Sequence, residues 1–126
     1  MDEVERKIHN AKELFEVFNV SINMAIQSIK KLLNYHKGSI SYNKTIQRVI
    51  KDESIKENEK MFVLNFYGYV KGLADIRAYQ YEDINKESAS YMIAEELIEK
   101  HLESFEEISK YLNVNNTHSE EINYIG

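Results

Sequence analysis

The stretch Met61–Tyr81, MFVLNFYGYVKGLADIRAYQY, decides how this chain folds. Phe62, Phe66, Tyr69, Leu73 and Ile76 recur at steps of four and three, and Val63, Tyr67, Val70 and Ala74 repeat the spacing on the opposite side. That period is helical, and a helix apolar on both sides is one that others surround. Lys71, Asp75 and Arg77 interrupt the run, whose uncharged part is far shorter than the roughly 20 residues of a membrane span. A central helix of a water-soluble bundle is expected, from about Ile55 to Tyr81. Gly68 and Gly72 share one strip of it, although each glycine costs about 1 kcal/mol relative to alanine in a helix. Close approach of another backbone explains that cost. The expected approach is packing within the chain, with self-association as the alternative.

Working outward, Ile8, Ala11, Phe15, Phe18, Ile22, Ala25, Ile29 and Leu32 form an unbroken heptad series, so one helix is expected from Asp2 to about His36. At 1.5 Å per residue it would measure roughly 50 Å and overhang its neighbours. The overhang suggests a dimer contact. Asn19–Asn23 is its weak point, being rich in residues that compete with helical hydrogen bonds. Gly38 is placed to supply a left-handed cap, and Ser41 to start a short basic helix to Lys51 with Ile46, Val49 and Ile50 on one side. Ser54 and Glu57 have the spacing of a capping box. Beyond the centre, Asp83 or Asn85 can cap a last helix to about Leu112, whose seam reads Tyr91, Ala94, Ile98, His101, Phe105, Ile108 and Leu112. From Asn113 the periodicity stops and a flexible tail is expected. The reading is thus an all-α antiparallel bundle of three long helices and one short one: a single domain over 1–112, with a disordered tail over 113–126.

Composition narrows the function. The 126 residues contain no Pro, no Cys and four Gly, which suits long helices and leaves no disulfide, thiolate metal site or cysteine nucleophile. The N-terminus is charged from its second residue and lacks the apolar core of a signal peptide, so a cytoplasmic location is expected. Heavy use of Ile, Asn, Lys and Tyr is the usage of an AT-rich genome. The net charge of −5 is unevenly spread: residues 27–60 hold eight basic and four acidic side chains, residues 82–126 three basic and eleven acidic. An acidic total disfavours general nucleic-acid binding. Lys37, Lys44, Arg48, Lys51, Lys56 and Lys60 nevertheless offer a nucleic-acid-binding alternative.

Candidate sites follow from spacing. Glu95, Glu99, Glu103 and Glu106 fall along one side of the last helix, with Glu96 and Glu107 beside them. Like charges so placed repel by a few tenths of a kcal/mol per pair, which a basic partner surface would relieve. The E-x-x-E spacing among them resembles one element of the all-α nucleotide pyrophosphohydrolases of the MazG type. The resemblance implies Mg²⁺-dependent hydrolysis through Glu95, Glu96, Glu99 and Glu103, but the E-x-x-D element that follows in that family is missing. His36 and His101 lie in apolar seams, where a hydrogen-bonded core histidine is expected, and His9 and His118 are expected at the surface. Phosphate-binding loops, nucleophile elbows and paired metal-ligand histidines are absent from the sequence. Neither catalysis nor a cofactor or metal is expected. Asn65, Asp75 and Arg77 read as buried polar residues of the central helix, with Asp75 and Arg77 pairing to other helices or to water. Arg77, Tyr79 and Tyr81 crowd its C-terminal end, and these are residue types enriched where proteins bind one another. The expected function is a non-enzymatic protein–protein interaction module: a small regulator or inhibitor of the kind phages and mobile elements encode, homodimeric, acting through an acidic helical face on a basic partner.

Overall fold

The computed structural model describes residues 2–82 and 85–125, with side chains described as far as Asn113. It is an all-α bundle of five helices, α1 Glu3–Phe18, α2 Ile22–Ser39, α3 Tyr42–Lys51, α4 Glu57–Ala78 and α5 Lys86–Ile125, with no strand among the described residues. None of these helices is long and apolar enough to cross a membrane.

The expected first helix is in fact two. Asn19 adopts the left-handed conformation (φ 53°, ψ 46°), its N–H bonds to the Glu16 carbonyl, and the Val20 N–H reaches back to Phe15 at 3.0 Å. This pair of bonds is a Schellman ending, and asparagine is the residue after glycine that best tolerates its geometry. Ser21 then restarts the chain by accepting from the Met24 N–H at 3.1 Å, while Asn58 of α4 donates to the Asn19 carbonyl at 2.8 Å. The heptad survives the break because buried Val20 bridges it and Ala25, Ile29 and Leu32 still face the core. No 50 Å helix overhangs its neighbours, and the dimer contact expected from such an overhang is not there to be made.

Other boundaries also move. α2 runs through Gly38, and the left-handed cap falls on Ile40 (φ 65°). The Arg48 guanidinium, the free end of a flexible side chain, lies 3.4 Å from where a Gly38 Cβ would stand, an ordinary van der Waals contact. Ser41 caps α3 as expected, accepting from Lys44. The buried side of α3 is Tyr42, Thr45 and Val49, with Ile50 exposed. The Ser54–Glu57 box does not form: Ser54 donates to Asp52 and accepts from Lys31, and α4 starts two residues later without a side-chain cap. Asn85 caps α5 through the Glu87 and Ser88 N–H groups. Asp83 lies outside the described residues. The α5 backbone continues to Ile125, past the end expected at Leu112, and the side chains of the expected tail beyond Asn113 lie outside the described residues.

α2, α3, α4 and α5 alternate in direction. Tyr42 and Ile50 of α3 lie beside Lys71 and Lys60 of α4, while Phe66 and Asp75 of α4 meet His101 and Ser90 of α5. The core has two ends of different chemistry. At one, Phe15 packs edge to face on Phe62 and Phe105, while Phe66 lies nearly parallel to Phe62 and oblique to Phe105, with ring centroids 5.3–6.5 Å apart, contacts that add about 1 kcal/mol per pair to area burial. The other end is aromatic and polar.

Candidate functional site

The polar end centres on His36, fully buried on α2. Its Nε2 lies 2.9 Å from the Tyr91 carbonyl, which can only accept, so Nε2 carries the proton and Nδ1 accepts from the Tyr67 hydroxyl at 2.7 Å. The Tyr91 ring stacks on the imidazole at 3.8 Å between centroids, and the Tyr91 hydroxyl donates to the His36 carbonyl. Burial pushes the His36 pKa down, against the opposing pull of the Tyr91 carbonyl and the Glu95 charge. Beside it the Tyr42 hydroxyl donates to Ser90, Ser90 to Asp75 at 2.6 Å, and Lys71 completes the chain to Asp75 at 2.7 Å. Burial raises the Asp75 pKa, yet hydrogen bonds from Lys71 and Ser90 and the Lys71 charge bring the net value below the ordinary one. Among the described residues every buried polar side-chain atom has a partner. The group ties α2, α3, α4 and α5 together and leaves His36 with no exposed surface. His101 behaves likewise, its Nδ1 donating to the Leu97 carbonyl at 2.8 Å between the rings of Phe66 and Tyr69.

The central-helix polar set resolves differently from the expectation. Asn65 and Arg77 are exposed, and the cationic partner of Asp75 is Lys71 of its own helix. The apolar run is also one-sided. Tyr69 and Ile76 face outward with Met61, and the buried side is Phe62, Val63, Phe66, Tyr67, Val70, Ala74 and Ala78. Gly68 and Gly72 lie on the outward side, where a Cβ at either would meet nothing within 4 Å. Intramolecular tight packing is therefore not their role.

The acidic side chains of α5 are spread between core edge and solvent. Glu95, Glu99 and Glu106 are half-buried, and Glu96, Glu103 and Glu107 are exposed. Lys37 pairs with Glu99 at 3.4 Å. Among the described residues no three His, Asp or Glu side chains are placed to share a metal ion. The basic segment is likewise partly engaged: Lys60 donates to the Ile50 carbonyl, and Arg48 and Lys51 share a cleft with Asp52 and Glu53.

Exposed apolar groups gather where α2 ends and α5 begins. Ile40 is 86% exposed and Met92 is 70% exposed. Met92 is common to two shallow clefts, one of 250 Å³ with Ile40, Tyr42 and Tyr91, the other of 220 Å³ with Tyr81, Ile93 and Glu96. Tyr79 stands nearby with the Lys86 ammonium 4.1 Å above its ring. Of the residues singled out by sequence, Tyr81 is joined to this patch through Met92, and Glu96 edges it. Ile40 and Met92 were not legible as site residues. Their only signal was negative: Met92 falls beside the α5 seam, and Ile40 sits in a turn where an exposed apolar side chain has no structural use.

Compared with known protein families, curated proteins and solved structures, the chain matches none.

Proposed function

We propose that this protein is a non-enzymatic protein–protein interaction module: a small cytoplasmic regulator or inhibitor, homodimeric, which docks a basic partner on the acidic and apolar end of α5. The observation that carries the reading is Ile40. An isoleucine held in the left-handed region costs stability through backbone strain, and because it is almost wholly exposed it recovers almost nothing through burial. Its neighbours Met92 and Tyr81 continue the apolar surface, and Glu87 and Glu96 line the same clefts. An apolar centre with an acidic rim suits a partner whose own site has a greasy pocket among lysines and arginines.

The test uses the full chain as bait for proteins of its own cell, with M92E, I40E and a distant control, K7E on α1. A partner held by the wild type and K7E but lost or weakened at least tenfold by M92E and I40E, and released by salt, supports the reading. Retention by all four baits overturns it.

A further inference from the structure

From Val17 to Lys51 the chain runs 35 residues without an Asp or Glu, and over that length it carries Lys30, Lys31, Lys37, Lys44, Arg48 and Lys51. Asp and Glu make up 21 of the 126 residues, one in six, so an even spread would place about six in the stretch. Helix chemistry does not explain the gap. The dipole favours carboxylates in a first turn, and α1, α4 and α5 have them there, whereas α2 and α3 have none. The α2–α3 pair forgoes that stabilisation, as a surface reserved for an anion would.

The fold gathers these cations on one face. α3 runs back along α2, with the Tyr35 hydroxyl donating to Asp52 at 2.6 Å and the Arg48 guanidinium lying 3.4 Å from where a Gly38 Cβ would stand. Lys44 and Lys51 lie four residues before and three after Arg48, so they share its flank. Opposite them, Gln27, Lys31, Asn34 and Gly38 follow one another along α2 at steps of four, three and four. Lys44, Arg48, Lys51, Gln27 and Asn34 are exposed, and Lys31 is half-buried. Among the described residues Lys37 is the one cation of the stretch in an ion pair, with Glu99 at 3.4 Å. Asp52 and Glu53 border the face beside Arg48 and Lys51, and Asp52 accepts from the Tyr35 and Ser54 hydroxyls.

We infer that this α2–α3 face binds the phosphate backbone of a nucleic-acid duplex. The inference goes beyond the docking surface at Met92 and does not rest on it. Lys44 to Lys51 spans about 10 Å of helix, over which a duplex presents one charge per roughly 1.7 Å. The amides of Gln27 and Asn34 suit phosphate and sugar oxygens, which take most protein–DNA hydrogen bonds. An acidic protein would need a buried apolar anchor, and neither strip supplies one. Single strands are held by stacking on aromatic rings, whereas the Tyr35 ring on this face is half-buried and its hydroxyl is engaged. The acidic total acts weakly here, because charges beyond a Debye length, about 8 Å at physiological salt, are screened.

The experiment is fluorescence anisotropy of short labelled duplex DNA, duplex RNA and single-stranded DNA over a salt series. The proteins are the wild type, K44Q/R48Q/K51Q, and K7Q/K12Q/K110Q as a control of equal charge. The wild type and the control should bind a duplex with a slope of log affinity on log salt of roughly −3 to −4, about 0.9 for each of Lys31, Lys44, Arg48 and Lys51. K44Q/R48Q/K51Q, of unchanged helicity by circular dichroism, should show a slope near −1 and bind at least tenfold more weakly at about 50 mM salt. Should that variant lose helicity, K44Q and K51Q singly decide the point, each lowering the slope by about 0.9. Three results overturn the inference: no duplex bound at about 50 mM salt, equal losses in both triple variants, or a single strand bound more tightly than either duplex. Polyglutamate that displaces the duplex at equal charge also overturns it and gives the face to an acidic protein. Capture through Met92 and Ile40 is read on its own baits, so either idea can fail alone.

Discussion

Ile40 is the residue at which local preference and structure part most clearly. A left-handed L-residue costs roughly 1–2 kcal/mol, and a β-branched one is the least suited to it. I40G should therefore stabilise the fold by about 1 kcal/mol, a rise of roughly 4 °C in melting temperature, while weakening partner capture. A melt and a binding assay on one preparation check both. His36 makes a second prediction. Its folded pKa lies below the unfolded value of about 6.5, so between the two the unfolded chain binds more protons. Stability is full above pH 6.5 and declines as pH falls through the folded pKa. Melts from pH 8 to pH 5 should show that decline. H36F should flatten it while lowering stability throughout, because the Tyr67 hydroxyl and Tyr91 carbonyl lose their partner at about 1–3 kcal/mol each. Asp52 acts in a separate window. Hydrogen bonds from Ser54 and Tyr35 hold its pKa at about 2, so its contribution is present above the ordinary carboxylate value and lost only in strong acid.

At the scale of the helix, periodicity revealed most of what burial later showed. The seams of α2 and α5 were legible because Ile29, Leu32, Ala94 and Ile98 have no alternative to the core, and all four are fully buried. The break at Asn19 was visible only as a weak point, since the apolar phase runs through it and the deciding features are a backbone conformation and one bond from Asn58. The α4 strip was misread for a related reason: Tyr69 and Ile76 keep the helical period whether they face the core or a surface. Within the site, Tyr81 and Glu96 could be found from residue type and spacing, whereas Ile40 and Met92 depend on how separate elements meet. The helix-scale prediction concerns the glycines. G68A and G72A remove the helical cost of glycine with no clash, so each should stabilise the monomer by about 1 kcal/mol, measurable by denaturant titration below the dimerising concentration. By contrast S21A, which removes the cap that restarts α2, should cost about 1 kcal/mol.

Across the whole molecule, stability is unevenly distributed. α4 buries seven side chains and shares both core ends, whereas α1 buries Ile8, Ala11 and Phe15 and rests the Phe15 and Phe18 rings on Phe62, Phe15 also meeting Phe105. Local opening should follow that division, because segments with few buried apolar groups open at lower free energy than the core. Hydrogen exchange followed by mass spectrometry should find α1 amides exchanging well before those of α4, and two truncations should separate the cases. F15A should release α1 alone, raising its exchange while α2, α4 and α5 keep their protection. F62A removes a side chain that is 1% exposed at the centre of the phenylalanine cluster, and it should cost about 3–5 kcal/mol and raise exchange in every helix together. Equal protection of α1 and α4 in the wild type would mean that the chain opens as one unit, with α1 held by more than the Phe15 and Phe18 rings.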